Sequence, residues 1–393
     1  MSASVKTPRA WPFMLIWLPL SGCGGGGGSP TAPSTPPPPT YAVTAVAFYD
    51  EDGDGRLDAE EEGRLPGVTV EIGGRTASTE LGTGRARVTG ILGGARTAAV
   101  RVDSLPLFWV AGEPVPVDVP TEREIELPVR LPVGGNSVNV YMAFGDSITE
   151  GAGSSTERGY IPLLEDRLRA GFGVADLVAE GIGGTTSQQG AARLAARLGR
   201  NRPAFTLILY GTNDWNFCDD VASCYTLDSI ASMIGQVKSR ESLPVVATIP
   251  PVNVGYDARA PERRNEWVAE TNAGIKALAR AEGALLVDVE KVLLDAAAGN
   301  FSQLFVDHVH PNDRGYELIA DEFYRALTRG RGTATAGSTS GFSTGPLFGP
   351  AQDASPPAAG DVSAPLPVER LRLDPFDDGP RRVRAVTVPL QER

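Results

Sequence analysis

The sequence predicts two folds in succession: a small all-β sandwich, then an α/β domain built on a doubly wound parallel sheet. Three observations carry this. Between residues 41 and 131, short runs rich in valine, alanine and isoleucine are separated by glycine and proline turns, and no helical period is sustained. From residue 137 to about 330, apolar runs of strand length alternate with segments whose apolar residues recur every three to four positions. At 393 residues the chain is also long enough for two domains and their linkers.

The first 22 residues read as an export signal. Lys6 and Arg9 precede an apolar stretch from Trp11 to Leu20, too short to span a bilayer as a mature helix but suited to a signal core. Leu20-Ser21-Gly22-Cys23 follows and resembles the bacterial lipobox. That resemblance implies a lipoprotein signal peptide over 1–22, lipidation of Cys23, and a place in the bacterial cell envelope, anchored to a membrane and facing the periplasm or the exterior. Residues 23–40 read as a tether, flexible in its glycine part and stiffer along Pro36–Pro39.

Strands are expected at Ala42–Tyr49, Val68–Ile72, Ala98–Val102 and Ile125–Leu131, within a module over 41–132. An acidic loop follows the first of them. Asp50, Asp52, Asp54, Asp58 and Glu61 fall at positions 1, 3, 5, 9 and 12 of a calcium loop, with Gly55 at 6 and the Arg56 carbonyl at 7. A strand precedes the loop, so a paired EF-hand is not implied. Together with the Leu65-Pro66-Gly67-Val68 turn, residues 46–70 resemble the B-type repeats of bacterial surface adhesins, which are prealbumin-like sandwiches. The resemblance implies a spacer or stiffening role and a structural calcium ion.

The second region opens with a strand at Val138–Phe144. A helix over Tyr160–Ala170 places Ile161, Leu164 and Leu168 on one face. A short strand ending at Leu177–Ala179 precedes an alanine-rich helix over Ser187–Leu198. Strands at Phe205–Tyr210, Val245–Ile249 and Ala284–Val289 then alternate with helices at Leu227–Lys238 and Arg263–Ala281. Tyr316, Ile319, Phe323 and Leu327 mark the core face of a last helix. Periodicity is lost afterwards, and residues 331–393 read as a disordered tail. Gly341-Phe342-Ser343-Thr344-Gly345 in that tail fits a nucleophile-elbow pattern, but no apolar strand precedes it and no histidine follows.

Charge and cysteine usage narrow the function. With 36 basic against 48 acidic residues, the net charge of −12 argues against nucleic acid as a partner. Cys218 and Cys224 lie close in sequence, and in an exported chain they are expected to form a disulfide pinning the loop after Asn213. Metal binding there is not expected, because no further cysteine or histidine is near.

The chemistry starts from a scarcity. The chain has two histidines, both within Asp307-His308-Val309-His310-Pro311. A serine hydroxyl is a poor nucleophile until a base takes its proton. Ser147, in Gly145-Asp146-Ser147-Ile148-Thr149, ends the first strand of the α/β region and offers such a hydroxyl. His310 is the candidate base, with Asp307 three residues before it to orient the ring; His308 is expected to be a partly exposed neighbour. Hydrogen-bond donors for an oxyanion are available from the N–H of Ser147, the N–H of Gly184 and the side-chain amide of Asn213. Each block alone also fits an ordinary turn or helix cap. In order along one α/β domain, the four fit acyl transfer.

Residues 138–330 thus resemble the SGNH hydrolases, also called the GDSL esterase/lipase family, with signature positions at Ser147, Gly184, Asn213 and His310. Ile148 stands where many members carry leucine, and Gly181 and Gly183 share the loop of Gly184. The resemblance implies a flavodoxin-like sheet and a serine esterase that hydrolyses carboxylic esters through an acyl-enzyme, with no cofactor for catalysis. Carbohydrate O-acetyl groups and lipid or lysophospholipid esters are the two substrate classes it brings. The rival reading is a surface adhesion or matrix-binding protein whose α/β domain is inert.

Overall fold

The computed structural model describes residues 36–218, 220–256 and 261–331. The expected signal segment, Cys23, most of the expected tether and the tail beyond Arg331 lie outside the described residues.

Eight strands precede the α/β region: β1 (Thr40–Tyr49), β2 (Thr69–Ile72), β3 (Arg75–Ser78), β4 (Arg85–Leu92), β5 (Gly94–Val100), β6 (Val110–Ala111), β7 (Val115–Val119) and β8 (Ile125–Arg130). They form two four-stranded sheets, ordered β4-β1-β8-β6 and β3-β2-β5-β7. The β1–β8 pairing is parallel and the other pairings are antiparallel. β4 shows why the strands face as they do. Arg85, Arg87 and Thr89 are exposed while Ala86, Val88 and Ile91 are buried, the period-two pattern of a half-buried strand. Gly90, with φ of 73°, lets β4 carry an extra residue against β1, where the register slips between Tyr41 and Val43. Four of the eight strands match the expected ones. β3, β4, β6 and β7 are additions, short or built from arginine and proline among small apolar residues.

The α/β region runs β9 (Ser137–Gly145), α1 (Ser147–Glu150), α2 (Ile161–Phe172), β10 (Asp176–Gly181), α3 (Ser187–Asn201), β11 (Pro203–Leu209), α4 (Thr226–Ser239), β12 (Leu243–Ala247), α5 (Pro261–Glu282), β13 (Leu285–Val287), α6 (Val289–Ala297) and α7 (Asp313–Thr328). Its five strands are all parallel, in the order β10-β9-β11-β12-β13. This is the doubly wound, flavodoxin-like order. Alternate side chains divide the interior in two. Tyr141, Ala143, Leu207, Leu209 and Val245 join a cluster with Leu164, Leu168, Leu293, Ile319 and Phe323 of α2, α6 and α7. Met142, Phe144, Ile208 and Val246 join another with Leu194, Ile230, Met233 and Ile275 of α3, α4 and α5. The helix α6 was not expected. Asp288 ends the strand and caps the helix by accepting the Lys291 N–H, so the apolar run that looked like one strand is a strand and a helix start.

The two regions share a buried seam. The Trp109 ring stacks on Phe172, with centroids 6.0 Å apart, and meets Tyr49 edge-on at 5.2 Å. Phe108 packs near Phe205, which itself stacks on Tyr141 at 4.9 Å. The Arg64 N–H donates to the Phe172 carbonyl (2.8 Å), and the Gly82 N–H to that of Gly171 (2.9 Å). After α7 the chain returns: the Arg331 N–H donates to the Leu105 carbonyl and its guanidinium to the Trp109 carbonyl. Phe205 lies near the start of β11 and Phe172 ends α2. The seam therefore sits at the end of the sheet away from the carboxyl ends of the strands.

Candidate active site

From β9 the chain passes to β10 on one side and then to β11 on the other. The direction of winding changes at β9, and ligands in such sheets collect at that switch point, at the carboxyl ends of the strands. Gly145 ends β9 in a close approach: a Cβ there would stand 2.5 Å from the Leu209 carbonyl oxygen. Asp146 then caps α1, its Oδ1 accepting the Ile148 N–H at 3.0 Å, and Ser147 is the first helical residue. Arg193 clamps the strand ends beneath. One of its nitrogens donates to the carbonyls of Gly145 (3.0 Å) and Glu180 (2.7 Å) and to the Tyr210 hydroxyl (2.7 Å). Its guanidinium lies 4.1 Å over the Phe144 ring.

His310 arrives from the loop before α7. Asp307 Oδ1 accepts the N–H groups of Val309 (2.8 Å) and His310 (2.7 Å), a tight turn that presents the imidazole. Asp307 Oδ2 stands 2.7 Å from His310 Nδ1, and His310 Nε2 stands 2.9 Å from Ser147 Oγ. With the proton on Nδ1 held by Asp307, Nε2 is left to accept from the serine hydroxyl. Burial pushes the Asp307 carboxyl up, but the hydrogen bonds from the His310 ring and the two backbone amides outweigh it and bring its pKa down to about 2. The loop is braced by Asn253, whose N–H donates to the His308 carbonyl (2.8 Å) and whose side-chain amide donates to that of Asp307 (3.3 Å). The His308 ring lies near Tyr256, with centroids 6.1 Å apart, so His310 is the histidine that meets the serine.

The three glycines of the 181–184 loop differ in what they require. Added Cβ atoms would come within 2.3 Å of the Glu150 N at Gly181 and 2.6 Å of its carboxylate at Gly183. Gly184 has open space and a φ of 72°, so there the need is conformational. Asn213 follows β11, and one of its amide hydrogens is held by the Thr185 carbonyl at 3.0 Å. The Cys218–Cys224 disulfide is formed, with Cα atoms 5.2 Å apart, and closes the loop after Asn213. A ring that short restricts the unfolded chain by about 2 kcal/mol.

The acidic loop is only partly gathered. Carboxylate oxygens of Asp50, Asp52 and Asp54 lie within 4.8 Å of one another. Asp58 and Glu61 do not join that group: the Glu61 carboxylate accepts the N–H of Glu51 (2.7 Å) and of Asp58 (3.2 Å). The Arg56 N–H donates to Asp54 Oδ1, and Arg130 pairs with Asp50.

Residues 143–318 match the family described as GDSL-like Lipase/Acylhydrolase. A stretch of 73 residues is 38% identical to esterase TesA of Pseudomonas aeruginosa, covering 19% of this chain and 36% of that protein. The chain thus spans little more than a third of the length of that curated relative. Among solved structures, a GDSL-family lipolytic protein of Veillonella parvula is 22% identical over 48% of this chain and 98% of its own, with a TM-score of 0.41. An acetylxylan esterase of Geobacillus stearothermophilus is 20% identical over 50% and 96%, also at 0.41.

In the sequence Asp146 stands out only as part of the Gly145–Thr149 motif, and the structure gives it a character of its own. It is fully buried, and its Oδ2 has no hydrogen-bond partner among the described residues. Burial raises its pKa to about 7, against the pull of the Ile148 N–H and the nearby His310. A pKa raised above the unfolded value favours folding below about pH 4, and that advantage is lost as pH rises through about 7. Asp146→Asn, a neutral isostere, is therefore expected to gain stability over the parent at pH 8 relative to pH 5, by at most about 2.5 kcal/mol. Urea unfolding at the two pH values measures this, and an identical difference at both would show that the carboxyl does not hold its proton.

Proposed function

We propose that this protein is a carboxylic ester hydrolase working through an acyl-enzyme on Ser147. The observation that carries the reading is the continuous Asp307–His310–Ser147 hydrogen-bond line, 2.7 and 2.9 Å long. As Ser147 Oγ attacks the ester carbonyl carbon, His310 Nε2 takes its proton, and Asp307 stabilises the imidazolium that forms. The carbonyl oxygen gains the negative charge, and the N–H groups of Ser147 and Gly184 with the Asn213 amide are the donors for it. His310 returns the proton to the departing alkoxide. A water molecule then attacks the acyl-enzyme, loses its proton to His310, and Ser147 leaves with that proton. No step calls on a cofactor.

Ser147→Ala and His310→Ala are each expected to lower p-nitrophenyl acetate turnover by about a thousandfold or more. Parent activity should fall toward the acid side of the range from about pH 5 to 8 in which histidine titrates. Full turnover in either variant overturns the assignment. Fluorophosphonate labelling that depends on Ser147 supports the enzyme, whereas folded protein that takes no label points to the non-catalytic adhesion reading. Acetylated glycans compared with lysophospholipids in the same assay separate the two substrate classes.

Export and lipid anchoring belong to the same proposal. They rest on Lys6, Arg9, the apolar Trp11–Leu20 stretch and the lipobox-like Leu20–Cys23. Among the described residues, no helix is long and apolar enough to cross a membrane. Cys23→Ser is expected to lose fatty-acid labelling and to leave the membrane fraction; retention with unchanged labelling would sink the anchor.

We also propose a structural calcium ion at the 50–61 loop. Asp50, Asp52 and Asp54 already converge, and carboxylate oxygen suits a hard divalent cation. Titration calorimetry on the full chain should give one calcium site that Asp52→Asn weakens at least tenfold, and no heat of binding would end the idea.

A further inference from the structure

The donors of an oxyanion site must converge on one point, yet here they come from separate loops. Gly184 lies between β10 and α3, and Asn213 follows β11. What fixes one loop against the other is the residue after Asn213. Asp214 is fully buried. Its Oδ1 accepts the Ser187 N–H at 2.9 Å, and its Oδ2 accepts the hydroxyls of Ser187 (2.5 Å) and Thr226 (2.7 Å). Ser187 opens α3 three residues after Gly184, and Thr226 opens α4. A single carboxylate therefore ties the amino ends of two long helices to the backbone beside Asn213.

Two further contacts lie in parallel with it. The Asn213 amide donates to the Thr185 carbonyl, within the glycine loop itself. Thr226 Oγ1 stands 3.0 Å from Cys224 Sγ, and Cys224 is bridged to Cys218. The Asn213–Asp214 segment is thus held from the glycine loop on one side and from the start of α4 on the other. Displacing a donor by about 1 Å from the position where charge develops costs catalysis without any change in the reacting groups.

We propose that Asp214 is a positioning residue for the oxyanion site, holding the Gly184 N–H and the Asn213 amide to a common point through Ser187 and Thr226. This rests on the esterase reading above. Its effect belongs to the transition state, because substrate binds before the oxygen carries charge. An aspartate serving only to hold the scaffold would change stability and leave each folded site at normal speed.

The experiment compares the parent with Asp214→Asn, Ser187→Ala and Thr226→Val, with sites counted by complete fluorophosphonate labelling. Kinetics on p-nitrophenyl acetate are read together with inhibition by a trifluoromethyl ketone, whose serine adduct carries a tetrahedral oxyanion. Asp214→Asn loses acceptors for the two hydroxyls and should lower kcat about a hundredfold per labelled site, with KM within about twofold. The inhibition constant should weaken by the same factor as kcat/KM. Ser187→Ala and Thr226→Val, each removing one hydroxyl, should lower kcat by roughly five- to tenfold, and they carry the test if Asp214→Asn does not fold. Normal kcat and normal ketone inhibition per labelled site, with lowered thermal stability, would overturn the proposal and leave the esterase reading standing. A parent that neither turns over ester nor takes the label overturns the esterase reading and this proposal with it.

Discussion

A serine oxygen and an imidazole nitrogen 2.9 Å apart join the end of the first parallel strand to the loop before the last helix. A hydroxyl cannot borrow a base from further away, so every intervening element must close with an error smaller than the tolerance of one hydrogen bond. The structure meets this demand from both sides. On the serine side, Gly145 admits the Leu209 carbonyl close to the backbone, Arg193 ties the ends of β9 and β10, and Asp146 caps the turn. On the histidine side, the turn closed by Asp307 is braced by Asn253, by the Val306 N–H on the His310 carbonyl, and by the Asn312 cap of α7. Apart from Arg193, the braces are backbone contacts and short side chains, which lose little freedom in holding position.

The strand-rich region bears on the same constraint from the opposite end of the sheet. Trp109 and Phe108 lie against Phe172 and Phe205, all four nearly fully buried. Fully burying a single side chain of this size is worth roughly 1.5–3 kcal/mol of apolar transfer. A face holding two such aromatics would be costly to leave in water. The seam lies at the amino ends of the strands and leaves the mouth above Ser147 to the βα loops. A region attached this way does not stand between solvent and Ser147.

How much of this was legible in the sequence depended on whether the relevant contact was local. The Asp307–His310 turn is closed within four residues, and two histidines in 393 residues left little choice of base. The parallel strands were legible because strands buried on both faces read as continuous apolar runs, as β11 does with all seven residues buried. β4 was hidden because its exposed face carries Arg85 and Arg87 and its buried face starts with alanine; β7 was hidden by Pro116. The acidic loop matches its linear pattern only in part. Its linear spacing fits a twelve-residue ligand set, yet Glu61 turns its carboxylate to the amides of Glu51 and Asp58, where two N–H groups already satisfy it. Roles carried by distant contacts left no trace in the pattern: Arg193 under the strand ends, Asn253 behind His308, and Asp214 between two helices.

Three carboxylates near the nucleophile show how environment, and not residue type, assigns charge. Asp307 and Asp214 each accept three hydrogen bonds, and Asp146 accepts one. The Asp307 side chain keeps 28% of its surface in water, so its donors outweigh desolvation and it stays ionised beside the imidazole. Asp214 has equal donors but is fully buried, and its pKa is raised by that burial against the pull of Ser187 and Thr226. Asp146 has neither enough donors nor water, and burial raises its pKa to about 7. The ordering has a chemical use. In the acyl transfer proposed above, the imidazolium needs one fixed counter-ion on its Nδ1 side, and the lowered pKa of Asp307 suits it to that place. A second permanent anion beneath Ser147 would favour the imidazolium before any substrate arrived, leaving the base already protonated. Burying Asp146 with a single donor keeps that second charge weak while still supplying the cap that turns Ser147 out of the strand.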